Sequence, residues 1–72
     1  MSSKKIIGRI IKHVRKNKGF TQQELADGLD TERNYVCRIE AGKINLTVDY
    51  LDKIIAILQT NHAEFFNGKH II

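Results

Sequence analysis

The chain has 72 residues, a net charge of +4, 42% apolar and 28% charged side chains. That length admits one domain with one small core, worth about 3–5 kcal/mol of net stability unless a second copy of the chain adds to it. The composition is that of a soluble globular domain rather than a disordered chain, and no apolar run approaches the ~20 residues of a membrane span. The opening MSSKK, followed by isoleucines interrupted by charge, does not read as a signal peptide. Cys37 is alone, which excludes an internal disulfide and fits a reducing, cytoplasmic setting. There is no proline and no run with period-two alternation, so an all-helical fold is expected.

Charge is unevenly distributed. Residues 1–20 carry Lys4, Lys5, Arg9, Lys12, Arg15, Lys16 and Lys18 with no acid, giving +7, while the remainder carries −3. A one-sided basic segment on a small domain attracts phosphates, although a solvated lysine-rich helix face has the same composition. The first helix is expected over about Ser3 to Asn17, ended by Gly19. Ile6, Ile7, Ile10, Ile11 and Val14 recur at helical spacing as one buried stripe, with Lys5, Arg9, Lys12 and Lys16 opposite. Phe20 is expected to plug the core ahead of the second helix.

Thr21 and Glu24 have the spacing of a capping box, in which the hydroxyl takes the Glu24 amide and the carboxylate returns to the Thr21 amide. Leu25, Ala26 and Leu29 form a short apolar face behind it. Gly28 to Thr31 breaks the pattern, and a third helix runs from about Glu32 to Ala41 before Gly42 stops it. Two short helices joined by a tight turn, at about residues 21–41, make a helix-turn-helix.

Lys43 to Leu46 then reads as a loop. A fourth helix starts at Thr47 as N-cap, with Asp49 and Asp52 near its positive end. Val48, Leu51, Ile54, Ile55 and Leu58 are expected to face the core, leaving Tyr50 and Ile57 off that stripe. Asn61 with Glu64 has the spacing of a second capping box and opens a short helix holding Ala63, Phe65 and Phe66, closed by Gly68. Lys69 to Ile72 is expected to fray. The result is one domain of five helices, residues 1–72, without repeat or linker.

The third helix has two faces. Val36, Ile39 and part of Tyr35 have core spacing, while Arg33, Asn34, Cys37, Arg38 and Ala41 fall opposite. That second face suits base edges: arginine can grip guanine O6 and N7 with two parallel bonds, and asparagine can do the same for adenine N6 and N7. Cys37 and Ala41 are small enough for close approach and can meet a thymine methyl. The plainer alternative is that Arg33 and Arg38 only solubilise the helix, Arg33 pairing with Glu32 or Asp30.

The run from Thr21 to Gly42, with its spacing of Gln22, Ala26, Val36, Ile39 and Glu40, resembles the lambda-repressor and Cro type (XRE-like) of helix-turn-helix domain, over about residues 5–66. The resemblance implies a five-helix lambda-repressor-like bundle whose third helix enters the major groove of double-stranded DNA. It places Arg33, Asn34 and Arg38, with Cys37 beside them, at base-reading positions. It places Gln22 on a backbone phosphate, and Lys43, Asn45 and Thr47 along the sugar-phosphate strand. Tyr35 and Arg15 are assigned to the DNA backbone with them. Arg15 and Glu40 match a largely buried ion pair that ties the first helix to the end of the third.

Two departures from the family are Asp30, in place of the usual turn glycine, and Thr31, in place of an apolar residue beneath the turn. Aspartate tolerates a left-handed backbone better than most residues, so the turn is expected to survive. Glu32 to Val36 and Asn45-Leu46-Thr47 are most similar to the controller proteins of restriction–modification systems, with phage repressors and antitoxin-like regulators as the alternatives. The resemblance implies a transcriptional regulator encoded by a bacterium or phage, cytoplasmic and nucleoid-associated. It further implies binding as a homodimer to a (pseudo)palindromic operator, with RNA polymerase as a candidate further partner. Tyr50, Ile57, Phe65 and Phe66, within about residues 50–68, are the candidate dimer interface; one phenylalanine is expected to fill the core and the other to pair.

Other function classes have less support. A helix-turn-helix body that contacts another protein instead of DNA would bind duplexes weakly and without sequence preference. An enzyme is not expected: His13, His62 and His70 lie on separate segments without zinc-site spacing, and Cys37 has no histidine near it in sequence. No glycine-rich phosphate loop appears. No cofactor, metal, small-molecule ligand or membrane partner is expected.

Overall fold

The computed structural model describes residues 2–67, and among them the chain is all helical. Helix α1 spans Ser3–Asn17, α2 Gln22–Gly28, α3 Arg33–Glu40, α4 Val48–Ile57 and α5 His62–Phe65. The expected stop at Gly68 and the tail from Lys69 to Ile72 lie outside the described residues.

Local chemistry sets the starts. The Thr21 hydroxyl accepts from the Glu24 amide at 3.0 Å, and the Glu24 carboxylate accepts from the Thr21 amide at 2.8 Å, completing the capping box. Thr47 accepts from the Tyr50 amide at 3.1 Å and opens α4. The turn between α2 and α3 puts Asp30 at φ +56, the left-handed conformation expected for it, and the Thr31 amide then donates to the Ala26 carbonyl at 2.9 Å. Gln59, beyond α4, also sits at φ +58, although no glycine or asparagine marks that helix end.

The core draws on every helix. Ile10, Ile11 and Val14 come from α1, Leu25 and Ala26 from α2, and Val36 and Ile39 from α3. Leu51, Ile54, Ile55 and Leu58 come from α4 and its cap, and Phe65 from α5. Helix α3 packs against both α2 and α1. Its approach to α1 depends on Gly8, because a methyl there would overlap the Ile39 carbonyl and sit 2.9 Å from the Glu40 carbonyl oxygen. Gly42, at φ +77, lets the chain turn against the backbone of Lys5.

Several expectations are corrected. Val48 is 75% exposed: at the first turn of α4 it borders an open cleft, lined also by Ser3 and Ile7 at the start of α1, instead of packing into the core. Ile6 and Ile7 are only partly buried, since they sit toward the open N-terminal end of α1. Phe65 is wholly enclosed in the monomer (0% exposed), so it offers no surface to a partner; its burial is worth roughly 1.5–3 kcal/mol. Phe66 packs edge-on against it and stays 50% exposed, as the α5 cap rather than a helical residue. The second capping box is half made: Asn61 accepts from the Glu64 amide at 2.8 Å, while the Glu64 carboxylate takes Lys18 Nζ at 2.9 Å.

Gly8→Ala tests the α1–α3 contact. Overpacking is expected to lower the melting temperature by about 5–15 °C. A rise would mean that the higher helix propensity of alanine governs that position instead.

Candidate nucleic-acid interface

The central contact is between Arg15 and Glu40. Arg15 Nε donates to Glu40 Oε2 at 2.6 Å and Nη2 donates to Oε1 at 3.2 Å, with side-chain exposures of 7% and 4%. Arg15 Nη1 donates to the Phe20 carbonyl at 2.7 Å, so the guanidinium joins α1, the α1–α2 connection and the end of α3. Gln22 Nε2 also donates to Glu40 Oε1 at 3.1 Å, and Cys37 Sγ donates to Gln22 Oε1 at 3.1 Å. One buried carboxylate thus gathers three N–H groups from two other segments of the chain.

This network bears on three of the expected contact residues. Cys37 is half-buried and its thiol is turned to Gln22, so it lies under the α3 face instead of standing free on it. Gln22 is half-buried and bonded at both amide atoms, which leaves one N–H of its carboxamide for an outside acceptor. Arg15 is held mostly inside, so little of its guanidinium faces outward.

Arg33, Asn34 and Arg38 are exposed along α3, and neither arginine forms an ion pair among the described residues. Val36 and Ile39, on the opposite side of the helix, are buried. Tyr35 is half-buried and meets Tyr50 of α4 edge-on, with ring centroids 6.2 Å apart. Burial raises the Tyr50 pKa, and Tyr35 raises it further, so this phenol keeps its proton across the neutral range. Lys43, Asn45 and Thr47 are exposed on the α3–α4 connection; Asn45 and Thr47 also border a small cleft of about 180 Å³ with Ser3, Ile7 and Leu51. The candidate dimer residues Tyr50 and Ile57 are half-buried, Ile57 lying against Gly28.

Sequence reasoning missed the Cys37–Gln22 bond, which joins residues fifteen apart on different helices, and the role of Gly8. A glycine within an otherwise strongly amphipathic helix was the available signal for the latter.

The helix-turn-helix family model matches residues 11–65. The chain belongs to the helix-turn-helix family. Among its relatives, the HTH-type transcriptional regulator SlrR of Bacillus subtilis is 35% identical over 65 residues, covering 89% of this chain and 43% of SlrR. The HTH-type transcriptional regulator SinR of the same organism is 32% identical, covering 90% of this chain and 60% of SinR. The chain therefore spans about half the length of these curated relatives. Both are named as regulators rather than enzymes, in agreement with the sequence expectation.

Solved helix-turn-helix structures match along nearly their full length. The wild-type restriction-modification controller protein C.Esp1396I superposes with a TM-score of 0.83 at 32% identity, covering 93% of this chain and 90% of that one. The controller protein C.AhdI from Aeromonas hydrophila gives 0.74 at 28% identity, covering 83% and 87%. C.Esp1396I has also been solved as a tetramer in complex with its natural 35 base-pair operator, superposing with a TM-score of 0.82 at 32% identity and covering 93% of this chain and 90% of that one. The expected five-helix bundle and its likeness to controller proteins are both found. No helix among the described residues is long and apolar enough to cross a membrane.

Glu40→Ala should remove the anchor of the network. Stripping one partner from a buried pair typically costs about 3–5 kcal/mol, comparable to the whole stability of a domain this small. Urea or thermal unfolding should show most of the folded population lost; an unchanged melting temperature would refute the structural role.

Proposed function

We propose that this chain is a sequence-specific, double-stranded-DNA-binding transcriptional regulator that acts as a homodimer on a (pseudo)palindromic operator, as a restriction–modification controller. The observation that carries the reading is the exposed row Arg33, Asn34 and Arg38 on α3, in which neither arginine is paired with an acid among the described residues, backed by buried Val36 and Ile39. Two guanidiniums and a carboxamide on one rigid helix match the donor and acceptor pattern of the major groove. The buried Arg15–Glu40–Gln22 network fixes α3 against α1 and α2, so the row is presented with little freedom. Gln22, Tyr35, Lys43, Asn45 and Thr47 surround it as contacts to the DNA backbone, with Arg15 behind them.

The controller assignment is supported by neighbours that match along most of both chains, one of them solved on its operator. A single recognition helix reads only a few base pairs, and pairing supplies two half-sites about 34 Å apart. Exposed Phe66, with the uncovered parts of Tyr50 and Ile57, supports a dimer face on α4 and α5. The reading places the protein in the cytoplasm, on the nucleoid, with RNA polymerase as a partner when the operator adjoins a promoter.

Selection of bound sequences from a random duplex pool should give a symmetric site. Arg33→Ala and Arg38→Ala should then each flatten preference at particular base pairs by about 1–3 kcal/mol. Lys43→Ala should weaken all duplexes alike and reduce the salt dependence. Weak, salt-steep and sequence-blind binding by the unaltered protein would favour a protein-interaction module instead.

Sedimentation equilibrium at micromolar concentration should give a dimer, and Phe66→Ala should shift it toward monomer. A monomeric unaltered chain would defeat the pairing.

A further inference from the structure

Four of the described helices begin with a side-chain cap. Ser2, Thr21, Thr47 and Asn61 each accept a backbone N–H at the start of α1, α2, α4 and α5. Helix α3 differs, because Glu32 stands at its N-cap position and makes no side-chain cap hydrogen bond. The first turn of α3 carries Arg33 and Asn34, two of the three exposed groups of the row. Glu40 and its partners anchor the last turn, about 10 Å further along the axis. The end of α3 that bears most of the row is therefore the end that needs support from another element.

Tyr35 connects that turn to α4. It is half-buried and meets the Tyr50 ring edge-on, with the ring planes at 83° and the centroids 6.2 Å apart. An edge-to-face pair at this separation attracts beyond the area it covers. Tyr50 is itself held in place: its amide donates to the Thr47 hydroxyl at 3.1 Å, and the next residue, Leu51, enters the core. The Thr47 hydroxyl, accepting from Tyr50, keeps its own proton for an outside acceptor. One residue thus touches two of the expected DNA-backbone contacts, Tyr35 with its ring and Thr47 with its amide.

We propose that Tyr50 is a positioning residue for DNA recognition, its ring holding the uncapped first turn of α3 so that Arg33 and Asn34 meet base edges in a fixed register. Tyr50 acts through Tyr35 and touches no base itself. Given α3 as the recognition helix, on which this role rests, the exposed row divides in two. Arg33 and Asn34 depend on the ring pair, and Arg38, near the far end, depends on Glu40.

Tyr50→Leu keeps apolar bulk, removes the ring, and is compared with the unaltered protein on a duplex recovered by selection. At the base pairs where Arg33→Ala loses preference, Tyr50→Leu should lose about 2–10-fold of it; at those where Arg38→Ala loses preference it should lose none. Tyr50→Phe should restore the preference, and in a Tyr35→Leu background Tyr50→Leu should add no further loss. In the free protein, hydrogen exchange of the Tyr35 amide, which donates to the Glu32 carbonyl at 3.0 Å, should quicken in Tyr50→Leu. Tyr50 also borders the candidate dimer face, so each variant is assayed at concentrations where sedimentation shows it paired. Equal losses at the Arg33 and Arg38 base pairs, or a loss that vanishes once pairing is complete, would overturn the positioning role. So would full preference in Tyr50→Leu while the unaltered protein discriminates operators. Should Tyr50→Leu fail to fold, Tyr35→Leu decides by the same split between the two sets of base pairs. An unaltered protein without base preference would overturn the recognition-helix reading and this role with it.

Discussion

A carboxylate that is 4% exposed is costly to bury without hydrogen-bond partners, and Glu40 has three N–H groups aimed at it. Everything on the α3 surface inherits its position from that requirement. Arg15 reaches it from α1 and Gln22 from α2, so the acid at the end of α3 holds all three helices in one register. Gly8 works to the same end from the apolar side, since the absence of a side chain there lets the backbones of α1 and α3 meet. Buried pairs contribute little net stability against a well-packed apolar alternative, but they penalise every arrangement that leaves one member alone. That penalty favours a single docking of α3 over many similar ones.

The network also explains a cysteine in an unexpected place. A thiol is a weak donor, yet Cys37 supplies one to the Gln22 carbonyl oxygen. With that oxygen occupied, the amide nitrogen of Gln22 is left to face Glu40, and the carboxamide has a defined orientation. Cys37 therefore belongs to the support of the surface more than to the surface itself.

The limits of α1, the capping box at Thr21 and the left-handed turn at Asp30 were legible because each rests on chemistry within a few residues. The Arg15–Glu40 contact, spanning 25 positions, came only through likeness to a family. Periodicity placed Val48 inside, since it is three residues from Leu51, but spacing along a helix carries no information about where the neighbouring helices end. Adjacent Phe65 and Phe66 are equally apolar, and only the path of the chain into α5 decides which one is enclosed. The basic segment was visible as a charge excess. Which of its members are neutralised at home, as Lys18 is by Glu64, depends on helices that arrive much later in the chain.

The side chains of Arg33, Asn34 and Arg38 are exposed and enter none of the ion pairs or core packing among the described residues, while those of Val36, Ile39 and Glu40 do. The two groups interleave in sequence yet answer to separate demands. Drift at the outer three positions can proceed at almost constant thermodynamic cost, so descendants of this chain are free to vary the chemistry of that face while inheriting one unaltered chassis.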